Sequence, residues 1–384
     1  MKEFQITLED LCKLENPPFG TINPHFRNEI RGLIKAKFKS VKSFSREMNM
    51  HDSTLYLVLC GKRSIRINKI KEIGEKLNLN FKNITEIIRS MRSNSTTLNS
   101  NNFPIKGSPE LASLVGHCFG DGHISDRRFT YTNKEPKLIN DVIEKVYTLP
   151  FRNVILLKRF HKATTIEFPK LVRDILVVAG APIGNKVKKP FHLPKWIKEG
   201  SLEIKKAFLQ ALFDDESTVK VNSREILLTL TKTIELSTNL QQFFDDIKLM
   251  LEEFKIEGVT LRDCSQSITG NGKVLEKGLR ITGTLSFINF QKNVGFLHPR
   301  KKKSLSSMIE STQRFQCRIG ENKKRIVELL KDKRQLNTLE VARMTGLQHL
   351  NAFIYLTRLE KEGKVERVRP PDRSKPHIWF LISN

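Results

Sequence analysis

Two stretches of sequence decide the fold: residues 114–122 read LVGHCFGDG, and residues 209–217 read LQALFDDES. Each is an apolar run that ends in acidic residues, which predicts two helices that end at their acids. Small side chains recur every four residues and therefore line one face of each helix: Ala112, Gly116 and Gly120 on the first, Ala207 and Ala211 on the second. Small residues at this spacing let two backbones approach closely. We therefore expect the two helices to pair at the centre of the molecule.

Such a pairing brings two carboxylates together. Asp121 follows the first helix, and Glu216 ends the second. Neighbouring carboxylates repel each other unless a cation lies between them. Hard divalent ions prefer oxygen ligands, and a bound ion can polarise a phosphodiester and generate hydroxide from water. The sequence therefore predicts Asp121 and Glu216 as metal-binding and catalytic residues.

The residues that follow the two stretches predict the same elements in the same order, which indicates an internal repeat. In the first half these are strand 129–132, helix 136–147, strand 154–160, strand 164–168 and helix 169–178. In the second half they are strand 226–231, helix 240–254, strand 258–264, strand 278–282 and helix 285–294. The predicted fold class is α+β, with pseudo-symmetric αββαββα repeats at residues 104–200 and 201–312. The internal pseudo-two-fold predicts a monomer.

The two stretches resemble the two copies of the LAGLIDADG motif, and the segments around them agree. Residues 180–186 (GAPIGNK) and 193–197 (LPKWI) are similar to the segment that precedes the second motif in many members. Residues 295–301 (GFLHPRK) are similar to the segment that closes the second half. The resemblance is to the two-motif, single-chain form of LAGLIDADG homing endonucleases. It implies Mg²⁺ dependence, Asp121 and Glu216 as metal-binding acids, and two saddle-shaped sheets that straddle the DNA major groove.

The resemblance also implies a lysine beside the active centre. It assigns this role to Lys301, which would stabilise charge on the phosphate. The alternative is that residues 300–303 (RKKK) are a phosphate-binding run, with Arg300, Lys302 and Lys303 as DNA contacts. Lys188 and Lys189 match less well as the counterparts in the first half.

Three residues depart from the family's pattern. Phe119 replaces an acid that is not a metal ligand, and Ser217 replaces the usual final glycine, which is expected to strain the next turn. Asp215 interrupts the stripe of small residues, so the helix ends are expected to splay locally. The simplest interpretation of Asp214 and Asp215 is that they are exposed charges at a helix end.

Residues 1–92 predict an all-α helix-turn-helix domain, and residues 93–103 (SNSTTLNSNNF) predict a linker because they lack charge and apolar periodicity. Helices are expected at 43–48, 55–60 and 67–77, with residues 52–54 capping the second and Gly61 ending it. The region resembles the Cro/repressor-type helix-turn-helix, and a generic helical bundle is the alternative. The resemblance places DNA contacts on the recognition helix and just after it: Ser53, Thr54, Tyr56, Lys62 and Arg63.

Residues 320–384 resemble a winged helix. The predicted order is helix 323–330, helix 338–344, helix 351–362, strand 364–368 and strand 377–382, with Gly346 and Gly363 ending the second and third helices. The turn between the strands carries Arg369, Arg373 and Lys375, which favours contact with phosphates. Winged helices also serve as protein-interaction modules, so this segment does not by itself establish DNA binding.

The chain has 384 residues and a net charge of +26, and an excess of this size favours a polyanionic partner such as nucleic acid. Neither a membrane span nor a secretory signal is expected, which predicts a cytoplasmic protein that associates with the nucleoid when bound to DNA. Isolated histidines lie outside metal-ligand spacing and predict no histidine metal site: His117, His123, His161, His192 and His298.

Two functions remain open. The acids Asp121 and Glu216 favour a site-specific double-strand DNA endonuclease that hydrolyses phosphodiesters with Mg²⁺. The two flanking helix-turn-helix modules favour the alternative, a non-cleaving DNA-binding transcriptional regulator. An intein is not expected, because the chain opens with a helical domain and closes with a winged-helix strand.

Overall fold

The computed structural model describes residues 3–79, 84–93, 96–154, 156–160, 162–369 and 377–382, without the side chains of residues 313–318. It has a mixed α+β fold, as the sequence predicts. The chain divides into two compact units, Met1–Leu305 and Ser306–Asn384. The predicted boundary at residues 93–103 therefore lies inside the first unit. No helix in the described part of the chain is long and apolar enough to cross a membrane.

The beginning of the first unit contains both helices and strands. In chain order they are β1 (Gln5–Ile6), α1 (Leu8–Cys12), β2 (Phe19–Ile22), α2 (Pro24–Phe38), α3 (Val41–Glu47), α4 (Asp52–Leu59), β3 (Ile65–Arg66), α5 (Ile67–Leu77), α6 (Ile84–Ile87), β4 (Ile88–Ser93), β5 (Thr96–Asn99) and β6 (Ile105–Lys106). The predicted pair of short helices is present as α3 and α4, and Gly61 after them has a φ of 74°. The expected cap is wrong, because Asp52 is already helical and the N-cap, His51, makes no side-chain capping bond.

The all-α prediction for residues 1–92 is also wrong. Strands form a sheet in the order β3-β2-β4-β5 beside the helices. The segment expected to be a linker supplies β5, in which Thr96 and Leu98 are buried and alternate with half-buried neighbours. β-branched threonine favours strands, so a polar, uncharged run can pair when one face is covered. Thr97 and Arg152 also exchange backbone hydrogen bonds of 2.9 and 2.8 Å, which joins this segment to the middle of the chain.

The first half of the middle region follows the expected order with one additional strand. Its elements are α7 (Pro109–Phe119), β7 (Gly122–Ile124), β8 (Phe129–Asn133), α8 (Pro136–Thr148), β9 (Leu157–Phe160), β10 (Thr164–Phe168) and α9 (Lys170–Val178). The four strands form an antiparallel sheet in the order β7-β8-β10-β9. The short strand β7 directly follows α7, so the end of that helix lies at the edge of the sheet.

The second half contains the same kinds of elements. They are α10 (Lys195–Lys198), α11 (Leu202–Glu216), β11 (Ser217–Lys220), β12 (Glu225–Thr233), α12 (Ser237–Glu253), β13 (Val259–Thr269), β14 (Gly272–Ile281) and α13 (Thr284–Asn293). The sheet order is β11-β12-β14-β13, so the first, second, fourth and third strands are neighbours, as in the first half. Here the first strand, β11, directly follows α11 and again begins at the acids.

The C-terminal unit is built around a small sheet. Its elements are α14 (Pro299–Lys333), which begins before the unit boundary, then β15 (Gln335–Asn337), α15 (Thr338–Thr345), α16 (His349–Lys361), β16 (Val365–Val368) and β17 (Ile378–Leu381). The sheet order is β15-β17-β16. Trp379 is fully buried in the core, and its indole N–H donates to the Thr338 hydroxyl at 3.0 Å. Gly346 and Gly363 follow the two short helices with φ values of 69° and 67°, as expected for residues that end helices.

Candidate functional site

Helices α7 and α11 pack with their backbones almost in contact. A Cβ atom added at Gly116 would lie 2.7 Å from the Phe208 carbonyl oxygen and 2.9 Å from the Ala211 Cβ. Any larger residue at position 116 would therefore force the helices apart. Ser108 and Ser201 begin the two helices with side-chain caps. The stripes of small residues thus produce the close approach that the sequence predicts.

Asp215 occupies the space that Gly120 leaves at the end of this helix pair. A Cβ atom at Gly120 would lie 2.5 Å from both Cβ and Oδ2 of Asp215, so the carboxylate fits only against glycine. Asp215 Oδ2 accepts hydrogen bonds from His117 Nδ1 at 2.9 Å and from the Asp121 backbone N–H at 3.1 Å. Its Oδ1 accepts one from the Tyr131 hydroxyl at 2.8 Å. The expected splaying at Asp215 is therefore wrong, because three donors from the first half hold its carboxylate.

Asp121 lies just beyond the C-cap of α7 and remains exposed to solvent. Its Oδ2 accepts a hydrogen bond of 2.8 Å from Asn133 Nδ2 at the end of β8. Partial withdrawal from water, together with the charge of Asp215, raises the pKa of Asp121 to about 6. Ionisation of this carboxyl group is therefore less favourable than for an ordinary aspartate, and a nearby cation would relieve the penalty.

Glu216 is the last residue of α11 and is half-buried. Burial raises the pKa of Glu216 to about 7, and the charges of Asp121 and Asp215 add to this, against the opposing ammonium groups of Lys186 and Lys301. In the described part of the chain, no side-chain hydrogen bond reaches the Glu216 carboxylate. The structure thus brings Asp121 and Glu216 into one electrostatically coupled cluster, while their metal-binding and catalytic roles stay predictions.

Two lysines bind the carbonyl groups at the ends of the central helices. Lys301 Nζ donates to the carbonyl oxygens of Phe213 at 3.1 Å and Asp214 at 2.5 Å, at the end of α11. Lys186 Nζ does the same for α7, with the carbonyl oxygens of Cys118, Phe119, Gly120 and Gly122 as acceptors. A cation at a helix C-terminus is favoured by the helix dipole. Both ammonium groups therefore lie beside the acids, held by backbone oxygens.

Lys186, rather than the expected Lys188 or Lys189, is the first-half counterpart of Lys301. Lys188 and Lys189 are exposed. The sequence contained the signal: Gly180 precedes Lys186 by the same number of residues as Gly295 precedes Lys301. Both glycines have positive φ values, 99° and 69°, so the same left-handed turn after a helix leads to each lysine.

The other departures from the motif pattern are accommodated without strain. Phe119 is buried and stacks on Phe243 with ring centroids 5.2 Å apart. Ser217 has an extended backbone with φ −102°, so the expected strain at this position is wrong, and its hydroxyl donates to the Phe213 carbonyl at 2.6 Å. Asp214 is buried rather than exposed, and burial raises its pKa to about 6. Its carboxylate accepts the backbone N–H groups of Leu297 and His298, both at 3.0 Å, just before α14.

The residues expected to contact DNA lie mostly away from the acids. Ser53 and Lys62 are exposed, Tyr56 is 60% exposed, and Thr54 is half-buried and accepts a hydrogen bond of 3.1 Å from Arg63 Nη1. Exposed basic residues at the start of α14 are Arg300, Lys302 and Lys303. Arg369 is exposed after β16, and Arg373 and Lys375 lie outside the described residues. Of all the predicted site residues in the described part, only Lys301 joins Asp121 and Glu216 in one cluster.

The two sheets present basic side chains that the sequence did not single out. Each sheet contains one nearly buried glutamate, Glu167 in the first and Glu225 in the second, which pairs with basic neighbours. These neighbours are Arg128 and Arg159 in the first sheet and Lys220, Arg262 and Arg280 in the second. Their side chains remain 37–58% exposed, so phosphates can still reach them. Only the folded register brings these residues together, because they come from separate strands or, for Arg128, from the residue just before β8.

The acid pair has the donor set of a hard-cation site. Among the described residues, no group of three or more His, Cys, Asp or Glu side chains is arranged to hold a metal ion. Mg²⁺ is nevertheless commonly bound by one or two carboxylates, with water and substrate phosphates completing its shell. Asp121 and Glu216 supply two oxygen ligands whose pKa values are raised by partial withdrawal from water and by the charges of neighbouring carboxylates. The residues present therefore fit a divalent cation that is completed by DNA or water.

Comparison with known proteins supports part of this description. Residues 203–295 match a family model described as LAGLIDADG-like domain, and residues 322–383 match one described as FaeA-like protein. Full-length DUF199/WhiA from Thermatoga maritima is a structural neighbour with 13% sequence identity and a TM-score of 0.32, covering 68% of this chain and 94% of that one.

Curated relatives have several different names. tRNA-splicing ligase RtcB from Methanopyrus kandleri is 25% identical over 68% of this chain and 28% of its own length, and RtcB from Pyrococcus abyssi is 29% identical over 68% and 29%. The replication factor C small subunit of Methanocaldococcus jannaschii is 30% identical over 38% of this chain and 9% of its own length. The chain thus matches less than a third of the length of these relatives. The domain match at residues 203–295, which include Glu216 and all of α11 except its first residue, supports a relationship of this chain to the LAGLIDADG-like family.

Proposed function

We propose that this protein binds double-stranded DNA through two halves, residues 104–200 and 201–312, that are related by a pseudo-two-fold axis. The single observation that carries the proposal is the pair of four-stranded sheets with the same strand order, each beginning at the end of one central helix. Two similar sheets related by a pseudo-two-fold axis could each contact one half of a double-stranded DNA site. The exposed arginine and lysine side chains on both sheets and the net charge of +26 supply the attraction to phosphates.

The names of the relatives do not indicate one common activity for the part of the sequence that they share with this chain. A tRNA-splicing ligase and a replication factor subunit have different names, yet this chain matches a minor part of the length of each of these relatives. The names of the relatives therefore give no single activity that could be carried over to this chain. We accordingly propose neither RNA ligation nor a replication-factor role for this chain.

A non-cleaving DNA-binding regulator is the simpler form of the proposal. It needs only DNA contact by the middle region and by the two flanking modules, which we propose to be a helix-turn-helix around α3 and α4 and a winged helix around α15 and α16. Tyr56 on α4 is exposed, and the region up to α5 supplies the basic residues Lys62 and Arg63. Three separate contact regions would give high affinity without any chemistry at Asp121 or Glu216.

Cleavage of DNA is the second candidate, and the coupled acids favour it. Two carboxylates with raised pKa values destabilise a protein that uses them only for packing. In the cleaving form, Asp121 and Glu216 would hold a divalent ion against the scissile phosphate. Such an ion would supply Lewis-acid activation of the phosphodiester and would lower the pKa of a water molecule that it binds.

The remaining side chains of the site would prepare the acids and stabilise charge. Lys186 and Lys301 place two ammonium groups in the acid cluster, where they favour the ionised form of Glu216 and add positive charge close to an incoming phosphate. Both lysines are held by backbone carbonyl groups, so their charge is fixed in place before DNA binds. Asn133 orients the Asp121 carboxylate through its hydrogen bond of 2.8 Å.

One experiment separates the two forms. The full chain is used to select binding sites from a random double-stranded library in Ca²⁺, and the selected DNA is then incubated with protein in Mg²⁺ or in EDTA. Selection of a defined site is expected, and its absence would refute the DNA-binding proposal. Mg²⁺-dependent cuts that Asp121→Asn and Glu216→Gln abolish would establish the endonuclease. Binding without cuts in either buffer would establish the regulator.

A further inference from the structure

The two acid positions differ in their surroundings, although the motif places them alike. The residue before Asp121 is Gly120, and the residue before Glu216 is Asp215. Only one carboxylate fits between the helix ends beside Gly120, because a Cβ atom added at Gly120 would lie 2.5 Å from the Cβ of Asp215. The second helix therefore contributes a carboxylate that reaches into the first half, and the first helix contributes none in return.

The Asp215 side chain is fully buried and bonds to three groups of the first half. Its bond of 3.1 Å to the Asp121 N–H fixes the backbone that carries the candidate metal ligand. The Tyr131 hydroxyl, 2.8 Å from Asp215 Oδ1, also accepts a hydrogen bond of 3.2 Å from Asn133 Nδ2. The same Asn133 amide donates to the Asp121 carboxylate. Asp215 thus reaches Asp121 twice, directly through the backbone and indirectly through Tyr131 and Asn133.

His117 compensates for the buried charge of Asp215. It lies on α7 with 1% of its surface exposed, and its two ring nitrogens face carboxylates: Nδ1 is 2.9 Å from Asp215, and Nε2 is 3.7 Å from Asp141. Burial opposes a charged ring, but the carboxylates of Asp215 and Asp141 raise the pKa of His117 to about 9. Lys145 pairs with Asp141 and donates to the Ser113 hydroxyl at 2.8 Å, which completes the network.

We propose that Asp215 is a positioning residue that holds Asp121 in place for a divalent cation, and that the Glu216 position has no equivalent support. This rests on the proposed function in its metal-binding form. In the described part of the chain, Glu216 receives no side-chain hydrogen bond, so its carboxylate is free to adjust to the ion while Asp121 is fixed. The cation site is thus half preformed, with its rigid ligand in the first half and its adaptable ligand in the second.

The test compares Asp215→Asn with a matched control on the same helix, Lys205→Met. Asn keeps the shape of Asp215 but removes its charge and one acceptor oxygen. Lys205 is buried at the other end of α11 and pairs with Glu253 at 2.6 Å, so its loss destabilises that helix without touching Asp121. Tyr131→Phe is the milder variant, which removes one donor to Asp215 and is usable if Asp215→Asn does not fold.

Two measurements are made on each variant. Hydrogen exchange of the Asp121 amide, followed by NMR without metal or DNA, reports the contact itself. Calorimetric titration of Ca²⁺ into the complex with selected DNA reports the consequence. We expect a protected Asp121 amide in the wild type, loss of protection in Asp215→Asn, and Ca²⁺ affinity lowered about 10-fold or more, as for other residues that orient metal ligands. Tyr131→Phe should show smaller changes in the same direction, and Lys205→Met should lower the melting temperature alone.

Each other outcome overturns the inference. An unprotected Asp121 amide in the wild type means that Asp215 does not hold Asp121. Unchanged Ca²⁺ affinity in Asp215→Asn, or an equal loss in Lys205→Met, means that the contact is structural only. A wild-type complex that binds no Ca²⁺ refutes the inference together with the cleaving form of the proposed function. Failure to bind any DNA refutes the proposed function itself, while the amide measurement still decides whether Asp215 holds Asp121.

Discussion

The ammonium group of Lys232 holds the main chain of Lys186, with 2.6 Å between Lys232 Nζ and the Lys186 carbonyl oxygen. Lys232 is completely buried, and its Nζ lies 3.5 Å from the centre of the Phe191 ring. Burial, together with the charge of Lys186, lowers the pKa of Lys232 to about 8, so it is still mostly protonated at neutral pH. One buried lysine thus positions the loop from which Lys186 reaches the end of α7.

The first prediction concerns Lys186, whose ammonium group binds the carbonyl oxygens at the end of α7. Lys186→Met keeps much of the side-chain length but leaves the carbonyl groups at the end of α7 without their donor. We expect the free energy of unfolding to fall by about 1–3 kcal/mol, the usual cost of leaving buried polar groups unpaired. Urea unfolding of the full chain, followed by circular dichroism, measures the change. The control is Lys188→Met, an exposed position where a change within about 0.5 kcal/mol is expected. Equal effects of the two substitutions would contradict the capping role.

The second prediction is a pH dependence of stability. The pKa values of Asp121 and Glu216, about 6 and about 7 in the folded protein, lie above their ordinary values of 3.8 and 4.5. The folded state therefore binds protons more readily than the unfolded state, and the penalty is complete above both folded pKa values. It is relieved as the pH falls from about 8 through these values towards 5.

Comparison with the double variant Asp121→Asn/Glu216→Gln isolates this effect. In EDTA, the melting temperature of the wild type should rise relative to that of the double variant as the pH is lowered from 8 to 5. Adding Mg²⁺ at pH 8 should raise the melting temperature of the wild type only, if the acids bind the ion. A constant difference across the pH range would show that the pKa values of the two carboxyl groups are not raised in the folded protein.

The third prediction tests the helix pair. In Gly116→Ala, the added methyl group would lie 2.7 Å from the Phe208 carbonyl oxygen, so α7 and α11 must shift. Overpacking of this kind costs about 1–3 kcal/mol. Gly32→Ala, at an open position inside α2, is the matched substitution, and helix propensity predicts stabilisation by up to about 1 kcal/mol there. Opposite signs are therefore expected in thermal melts, and destabilisation by both would point to a general intolerance of alanine.

Sequence patterns located the central helices because their physical cause is local. An apolar run that ends in acids marks the end of a helix, and glycines such as Gly61 and Gly346 mark ends because only they adopt positive φ without strain. The strands at Gly122–Ile124 and Ser217–Lys220 are not predicted, because strands of three or four residues are too short to show a periodic pattern. The polar strand at Thr96–Asn99 was missed because its pairing depends on partners elsewhere in the chain.

The candidate site was predicted in part for the same reason. Asp121 and Glu216 follow from motif position, whereas the environment of Asp215 depends on tertiary contacts. From the sequence, a carboxylate in a stripe of small residues is expected to push the helix ends apart. In the fold, His117 and Tyr131 donate hydrogen bonds to it. Lys186 is predictable from its spacing to Gly180, which equals the spacing of Lys301 to Gly295.

The last prediction concerns the sheets as the DNA-contacting surface. Arg159 on β9 and Arg262 on β13 are 58% and 43% exposed, and each lies on the outer strand of its sheet. If both contact phosphates, Arg159→Gln and Arg262→Gln should each reduce the slope of log K against log salt by about 0.9, because one fewer counterion is released. Fluorescence anisotropy with selected DNA at several salt concentrations gives these slopes.

Lys13→Gln is the charge-matched control, at the C-cap of α1, where the side chain is 75% exposed; it should leave the slope near that of the wild type. Slopes that fall equally in all three variants would mean that net charge alone attracts the DNA, and unchanged slopes for both arginines would remove the outer strands from the interface.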